Sequence, residues 1–169
     1  APFADIAVVW AKNEEGKVRG IIVERGYEGF TTPETHGKWS LRASATGELV
    51  FDNVKVPKEN RIGEEGFGFK FAMKTLNGGR IGIAAQALGI AAGAYELALK
   101  YAKTRKAFKT EIINHQAIAF KLADMATEID AAELLIQRAS ELKNNKQKMS
   151  KEGAMAKLYA SEACVRLAN

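Results

Sequence analysis

The sequence has few of the residues that build disulfide frameworks, metal centres and catalytic triads. It contains one cysteine, Cys164, and two histidines, so it can form neither an internal disulfide nor a Cys-x-x-Cys or His-x-x-x-His metal pair. We therefore expect no metal site. Three prolines and the lack of a long polar tract leave little room for disorder. With 169 residues, 47% of them hydrophobic, the chain is long enough to bury one core.

Long apolar runs and basic blocks are also missing. The longest nearly apolar run, residues 81–95, is shorter than the ~18–20 residues that cross a bilayer, which predicts a soluble protein without a membrane span. The net charge of +5 comes from lysines spread along the chain, and no basic block is interleaved with aromatics, which argues against nucleic-acid binding. A generally basic surface is the default interpretation, and a phosphate-bearing ligand would also suit it. The first residues, APFAD, resemble the interior of a longer chain.

The first sixty residues favour β structure. Residues 6–10 and 18–23 are short β-branched runs, and NEEG at 13–16 suits a hairpin turn in which Gly16 takes a positive φ. Residues 48–56 alternate in polarity except at Asp52-Asn53, which predicts a strand with a bulge there. Pro57 should end that strand, because proline has no N–H to donate.

The remaining residues favour long helices. The apolar spacing predicts helices over 67–103, 115–142 and 151–168, with Asn114 and Ser150 as N-caps of the second and third. Small residues over 83–94 should let a neighbouring helix approach closely. The apolar side of the second helix is formed by Ile118, Leu122, Met125, Ile129, Leu135, Ile136 and Leu142. The pattern predicts an up-and-down bundle that is one helix short of four.

Most generic ligand motifs can be excluded. The stretch GEEGFGFK at 63–70 has the wrong glycine spacing for a dinucleotide loop, and we expect it to let the chain turn into the first helix. His36 and His115 have no nucleophile signature beside them.

By contrast, TLNGGRIG at 75–82 puts Asn77 and Arg80 on one helix face, where the arginine needs a carboxylate, a phosphate or a backbone partner. A purely structural ion pair is an equally good explanation from the spacing.

Four segments in sequence order resemble landmarks of the acyl-CoA dehydrogenases, the flavoproteins that desaturate fatty acyl thioesters. They are SLRASATGELVFDNVKVPKEN at 40–60, LNGGRIGIAAQALGIA at 76–91, RKAF at 105–108 and HQAIAFKLADM at 115–125. The resemblance implies an α+β fold in which residues 1–62 are the later part of a β-barrel-like middle domain. Residues 63–169 would then form the first helices of a C-terminal four-helix bundle, so that the chain is incomplete.

The resemblance also implies a cofactor. In the family, an R-x-x-F-G…Q element, matched here by Arg105, Phe108 and Gln116, binds the adenosine and pyrophosphate part of FAD across a subunit interface. His115 would contribute through its backbone. A shared cofactor implies a homodimer or homotetramer. Lys109 departs from the family's usual glycine, and if the position needs a positive φ the lysine is strained by about 1 kcal/mol.

For the substrate, the resemblance places Met73 and Leu76 on the wall of the acyl channel and Asn77 and Arg80 on the helix that contacts acyl-CoA. Many relatives have aspartate where Asn77 stands. The family's general base is a glutamate that usually lies on a later segment and in some branches lies on this helix, at the position of Gly79. No glutamate occupies that position, so we assign no catalytic residue here.

The implied activity is FAD-dependent α,β-dehydrogenation of a short-chain acyl-CoA, with electrons passed to an electron-transfer flavoprotein. Residues 1–60 resemble glutaryl-CoA dehydrogenases and the remainder resembles butyryl-CoA dehydrogenases, so the acyl group stays open between these two. Alternatives are a non-catalytic helical scaffold that keeps the fold, or an acyl-CoA oxidase. The expected location is the bacterial cytoplasm or, in a eukaryote, the mitochondrial matrix.

Overall fold

A β-hairpin opens the chain, and its turn residues allow the reversal. In the computed structural model, which describes residues 1–169, β1 (Ile6–Lys12) pairs antiparallel with β2 (Val18–Glu24). Gly16 takes a φ of 74° between them, a conformation that is open to glycine because it lacks a Cβ. The predicted hairpin is therefore confirmed. A short strand, β5 (Arg61–Ile62), pairs with β2 and completes a three-stranded sheet in the order β1-β2-β5.

A second, two-stranded sheet is smaller than the sequence predicted. It joins β3 (Phe30–Thr31) to β4 (Val50–Phe51), and the Phe30 and Phe51 rings stack with centroids 5.0 Å apart. The strand predicted over 48–56 is confirmed only at Val50 and Phe51, because residues 48–49 and 52–56 are not in a strand. Asn53 takes a φ of 50°, which turns the chain rather than forming a bulge. The two sheets hold three and two strands and do not close into a barrel.

The first long helix begins where a glycine lets it approach a strand. Helix α1 (Gly68–Thr104) starts at Gly68, where an added Cβ would lie 2.4 Å from the Val18 carbonyl oxygen. Just before it, Gly66 has a φ of 85° and turns the chain into the helix. The GEEGFGFK stretch thus has the role that the sequence predicted.

Three helices follow the predicted order and bounds within two residues: α1, α2 (Gln116–Asn144) and α3 (Ser150–Ala168). Their core consists mostly of alanines, because small side chains let helix backbones come close. All seven residues predicted on the apolar side of α2 are buried or half-buried. The main core cluster is formed by Ala84, Ala132, Ile136, Ala139, Ala156 and Ala160.

The core clusters also give the direction of the helices. Ala84 of α1 packs with Ala156 and Ala160 of α3, and seven residues later Ala91 packs with Ala163 and Leu167. Helices α1 and α3 therefore run in the same direction, and α2 returns between them. This up-down-up arrangement is the incomplete α+β fold that the sequence predicted.

Both predicted N-caps are wrong. The cap of α2 is His115, and Asn114 ends a short 3₁₀ helix, where its side-chain amide donates to the Thr110 hydroxyl at 2.9 Å. The cap of α3 is Met149, and Ser150 is already helical. The Ser150 hydroxyl accepts a hydrogen bond from the Asn77 amide at 3.2 Å instead. Polar residues suited to capping were used for other contacts.

The chain divides into two compact units, Ala1–Lys74 and Thr75–Asn169. In the second unit, helix α1 leaves an apolar row exposed at seven-residue intervals. The row consists of Leu76, Ile83, Ile90 and Leu97, which are 56%, 51%, 53% and 72% exposed.

Helix α1 is also long and apolar enough to cross a membrane by length and composition alone. Its most apolar 18-residue window has a mean hydropathy of 1.3, and 17% of that window is buried. One such helix is weak evidence for a membrane span, because bundle helices have the same composition.

Candidate functional site

The segment between α1 and α2 is a small β-hairpin that carries the predicted cofactor residues. Strand β6 (Lys106–Ala107) pairs antiparallel with β7 (Thr110–Glu111). Arg105 stands at the base of the hairpin. Its N–H continues the helix by donating to the Tyr101 carbonyl at 2.9 Å, and its carbonyl accepts from the Ile112 N–H at 2.9 Å. These two bonds fix the backbone from which the Arg105 side chain projects.

The turn of this hairpin has two non-glycine residues with positive φ. Phe108 has a φ of 52° and Lys109 a φ of 66°. With two residues between the paired strands, this is the pattern of a type I′ turn, which favours Asn-Gly. An L-residue in this region is strained by about 1–2 kcal/mol. Lys109 therefore has the positive φ for which the sequence analysis predicted a strained lysine.

His115 joins the hairpin to the start of α2. Its Nε2 lies 3.2 Å from the Ala107 carbonyl oxygen, and because a carbonyl can only accept, Nε2 carries the hydrogen. Its ring also meets the Phe108 ring edge-on, with centroids 6.0 Å apart. The His115 carbonyl meanwhile accepts from the N–H groups of Ile118 and Ala119. The imidazole therefore holds the hairpin, a role beyond the backbone contribution that the sequence suggested.

The side chains that could meet a ligand face solvent. Phe108 is 93% exposed, and Arg105 and Gln116 are exposed as well. Gln116 is the first residue of α2, directly after His115. One hairpin–helix junction thus carries a guanidinium, an aromatic ring and an amide, none of them turned into the core.

The junction also has an excess of positive charge. Its one ion pair joins the Lys106 ammonium to the Glu111 carboxylate at 3.4 Å. Hydrogen bonding from the Glu111 backbone N–H, and then from Lys106, lowers the pKa of the Glu111 carboxyl, so this acid is charged at neutral pH. Arg105 and Lys109 have no acidic partner. Two unpaired cations beside an exposed amide suit a diphosphate. The residues present therefore fit the nucleotide part of FAD.

The predicted substrate residues lie on α1. The Arg80 guanidinium donates to the Asn77 side-chain oxygen at 2.8 Å, and the Asn77 amide donates to Ser150. Arg80 therefore has an amide partner and no ion pair. This differs from the purely structural ion pair that the spacing also allowed. Met73 and Leu76 are exposed, 37% and 56% respectively.

Two structural partners were not visible in the sequence. Ser150 lies 73 residues from Asn77, and no spacing rule connects them. In the first unit, the largely buried Arg19 donates to the Glu65 carboxylate at 2.6 Å, and its Nη1 is buried without a partner. The signal for Arg19 was a charged residue inside a strand that is rich in β-branched residues.

Comparison with known proteins gives consistent results. Residues 66–169 match the family model described as acyl-CoA dehydrogenase, C-terminal domain. The chain is 49% identical over 168 residues to the caffeyl-CoA reductase-Etf complex subunit CarC of Acetobacterium woodii, covering 97% of this chain and 44% of that protein.

Two solved structures are also similar. Butyryl-CoA dehydrogenase from Megasphaera elsdenii superposes with a TM-score of 0.92 at 45% identity, covering 97% of this chain and 44% of that one. Glutaryl-CoA dehydrogenase from Mycobacterium smegmatis gives a TM-score of 0.92 at 35% identity, covering 98% and 42%. The chain therefore spans less than half the length of the relatives it matches.

Proposed function

Because the chain belongs to the acyl-CoA dehydrogenase family, whose C-terminal domain it matches over residues 66–169, we propose that the full-length protein is an FAD-dependent short-chain acyl-CoA dehydrogenase. The observation that carries the proposal is the solvent-facing junction of Arg105, Phe108 and Gln116, held by the His115 contact with Ala107. The family match alone would also suit a chain that had lost its cofactor residues.

Within the proposal, each residue of the junction has a distinct task. The Arg105 guanidinium binds oxygens of the FAD diphosphate, and the Gln116 amide donates to the same part of the cofactor. Phe108 offers an apolar surface beside them, and His115 keeps the hairpin in place. Since Phe108 is 93% exposed, we propose that a second copy of the protein helps to cover the cofactor, in a homodimer or homotetramer.

The substrate residues act through α1. We assign Met73 and Leu76 to the acyl channel wall and Asn77 and Arg80 to acyl-CoA contacts, on the basis of the family resemblance. When bound, FAD supplies an acceptor for the hydride that leaves the β-carbon. The carboxylate that takes the α-proton is not assigned to any residue of this chain, because Gly79 occupies the family position on α1.

The relatives guide the choice of acyl group and partner. Identity is higher to the butyryl-CoA enzyme (45%) than to the glutaryl-CoA enzyme (35%), which supports a butyryl-sized substrate. CarC belongs to a caffeyl-CoA reductase-Etf complex, which supports an electron-transfer flavoprotein as partner. We keep glutaryl-CoA as the alternative substrate, and the bacterial cytoplasm or mitochondrial matrix as the proposed location.

A second candidate function is suggested by the same relative. CarC is named as a subunit of a reductase complex, so the full-length protein could work in the opposite direction and reduce an enoyl-CoA with electrons from Etf. Comparing the rate of butyryl-CoA oxidation with that of crotonyl-CoA reduction, each in the presence of Etf, separates the two directions.

The experiment is a titration of the purified full-length protein. It should be yellow, and butyryl-CoA added without oxygen should bleach the flavin faster than glutaryl-CoA does. Arg105→Ala should raise the dissociation constant for FAD roughly 10- to 100-fold, because a charge-assisted hydrogen bond is lost. Arg138→Ala, at an exposed arginine on α2, is the matched control and should bind FAD normally.

Other results select other functions. A colourless, stable oligomer without thioester affinity would indicate the non-catalytic scaffold. Oxygen consumption without an electron-transfer partner would indicate an oxidase. Unchanged FAD binding in Arg105→Ala would remove the role given to that residue.

A further inference from the structure

Lys109 combines backbone strain with an uncompensated charge. It takes a φ of 66° at the second position of the hairpin turn, where glycine is the unstrained residue. Its side chain is exposed and makes no hydrogen bond or ion pair in the chain, since the one ion pair of the hairpin joins Lys106 to Glu111. The turn requires a positive φ at this position, but no contact within the chain requires a lysine there. A charged side chain at a position where glycine is unstrained therefore points to a function.

The position of Lys109 on the hairpin suggests what the function is. Arg105 and Lys109 are four residues apart, so their Cα atoms are at most about 14 Å apart, and less because the chain reverses at the turn. Both side chains are long, exposed and unpaired. They can therefore reach different oxygens of one diphosphate that lies along the hairpin.

We propose that Lys109 is a second cationic ligand of the FAD diphosphate, acting together with Arg105. The inference rests on the proposed function, because it requires the hairpin to bind FAD. A guanidinium gives directional, paired hydrogen bonds, while an ammonium gives a point charge that tolerates several geometries. The two residues are thus complementary rather than redundant.

The test uses the full-length protein and four variants. Lys109→Gly removes both charge and strain, Lys109→Asn removes the charge with a residue that tolerates positive φ, and Lys109→Arg keeps the charge. Lys146→Gly is the matched control, because Lys146 is also exposed and has a φ of 57°, but lies in the turn between α2 and α3. The dissociation constant for FAD is measured at several salt concentrations, together with the unfolding temperature of the apoprotein.

We expect Lys109→Gly and Lys109→Asn to weaken FAD binding about tenfold at low salt, and to make the affinity less dependent on salt. Lys109→Arg should bind FAD within about twofold of the parent protein. Lys109→Gly and Lys146→Gly should both raise the unfolding temperature of the apoprotein, because both relieve strain. Of these two variants, only Lys109→Gly should bind FAD more weakly.

The outcomes separate this inference from the proposed function. If Arg105→Ala weakens FAD binding and Lys109→Gly does not, the hairpin binds the cofactor without Lys109, and the inference is overturned alone. If the parent protein binds no FAD, the proposed function fails first. A loss of affinity in Lys109→Gly with an unchanged salt dependence would also overturn the inference, because the effect would then not come from charge.

Discussion

The imidazole of His115 donates from Nε2 to the Ala107 carbonyl, 3.2 Å away, and so fastens a strained hairpin to the first turn of α2. The same ring meets Phe108 edge-on. One side chain therefore holds both the strand and the turn of the segment that carries Arg105. The geometry of the proposed cofactor site depends on this contact.

Replacing His115 by phenylalanine should loosen the hairpin. His115→Phe keeps an aromatic ring next to Phe108 but loses the hydrogen bond, which contributes about 1 kcal/mol. We expect a lower unfolding temperature and FAD binding weakened several-fold. His115→Gln, which can still donate to the carbonyl, is the control. Loss in His115→Gln but not in His115→Phe would mean that the aromatic ring, not the hydrogen bond, holds the hairpin.

A carboxylate at position 77 should stabilise the bundle. In Asn77→Asp, the Arg80 guanidinium gains an ionic partner three residues away, and the Ser150 hydroxyl can donate to the new carboxylate. We expect a gain of about 0.5–1 kcal/mol in the free energy of unfolding. Asn77→Ala should lose about 1 kcal/mol, because Arg80 and Ser150 both lose a partner. Urea denaturation of the full-length variants measures both changes.

Two glycines of α1 should respond oppositely to alanine. At Gly79 an added Cβ meets nothing within 4 Å, so Gly79→Ala should stabilise the protein by about 0.5–1 kcal/mol through helix propensity. At Gly68 the Cβ would lie 2.4 Å from the Val18 carbonyl, so Gly68→Ala should destabilise it by about 1–3 kcal/mol. Thermal unfolding of the two variants checks this. If the unfolding temperature of both variants moved in the same direction by a similar amount, the packing described at Gly68 would be contradicted.

Acid should weaken the hairpin through Glu111. Its pKa is lowered from 4.5 in the folded protein, by its backbone N–H and then by Lys106. A lowered folded-state pKa gives stability that is complete above the unfolded value and is lost as the pH falls through the folded value. The protection factor of the Ile112 amide, whose N–H closes the hairpin, should therefore fall below about pH 4.5 when its exchange is compared with the intrinsic rate at each pH. In Glu111→Gln that acid-dependent step should be absent.

The helices could be predicted from the sequence because their information is local. Apolar spacing and the lack of proline over α1 and α2 gave bounds within two residues, and the small residues around Ala84 and Ala91 correctly indicated close packing. The strand after Val50 could not be placed, because Asn53 adopts a positive φ that its alternating neighbours do not reveal.

The candidate site was predictable in part. Spacing put Asn77 and Arg80 together, but Ser150 was expected to cap a helix, and only the folded bundle shows that its hydroxyl meets Asn77. The role of the His115 imidazole was likewise missed, since its partner is a backbone carbonyl. Contacts between side chains and distant backbone leave no spacing pattern in a sequence.

The apolar row on α1 has a geometric consequence for whatever covers it. Leu76, Ile83, Ile90 and Leu97 repeat every seven residues, and an α-helix falls about 20° short of two turns in that interval. Over three repeats, about 32 Å of helix, the row winds around α1 by about 60° in the left-handed sense. A straight, parallel rod would lose contact with one end of it. Full coverage requires a helix that coils with α1.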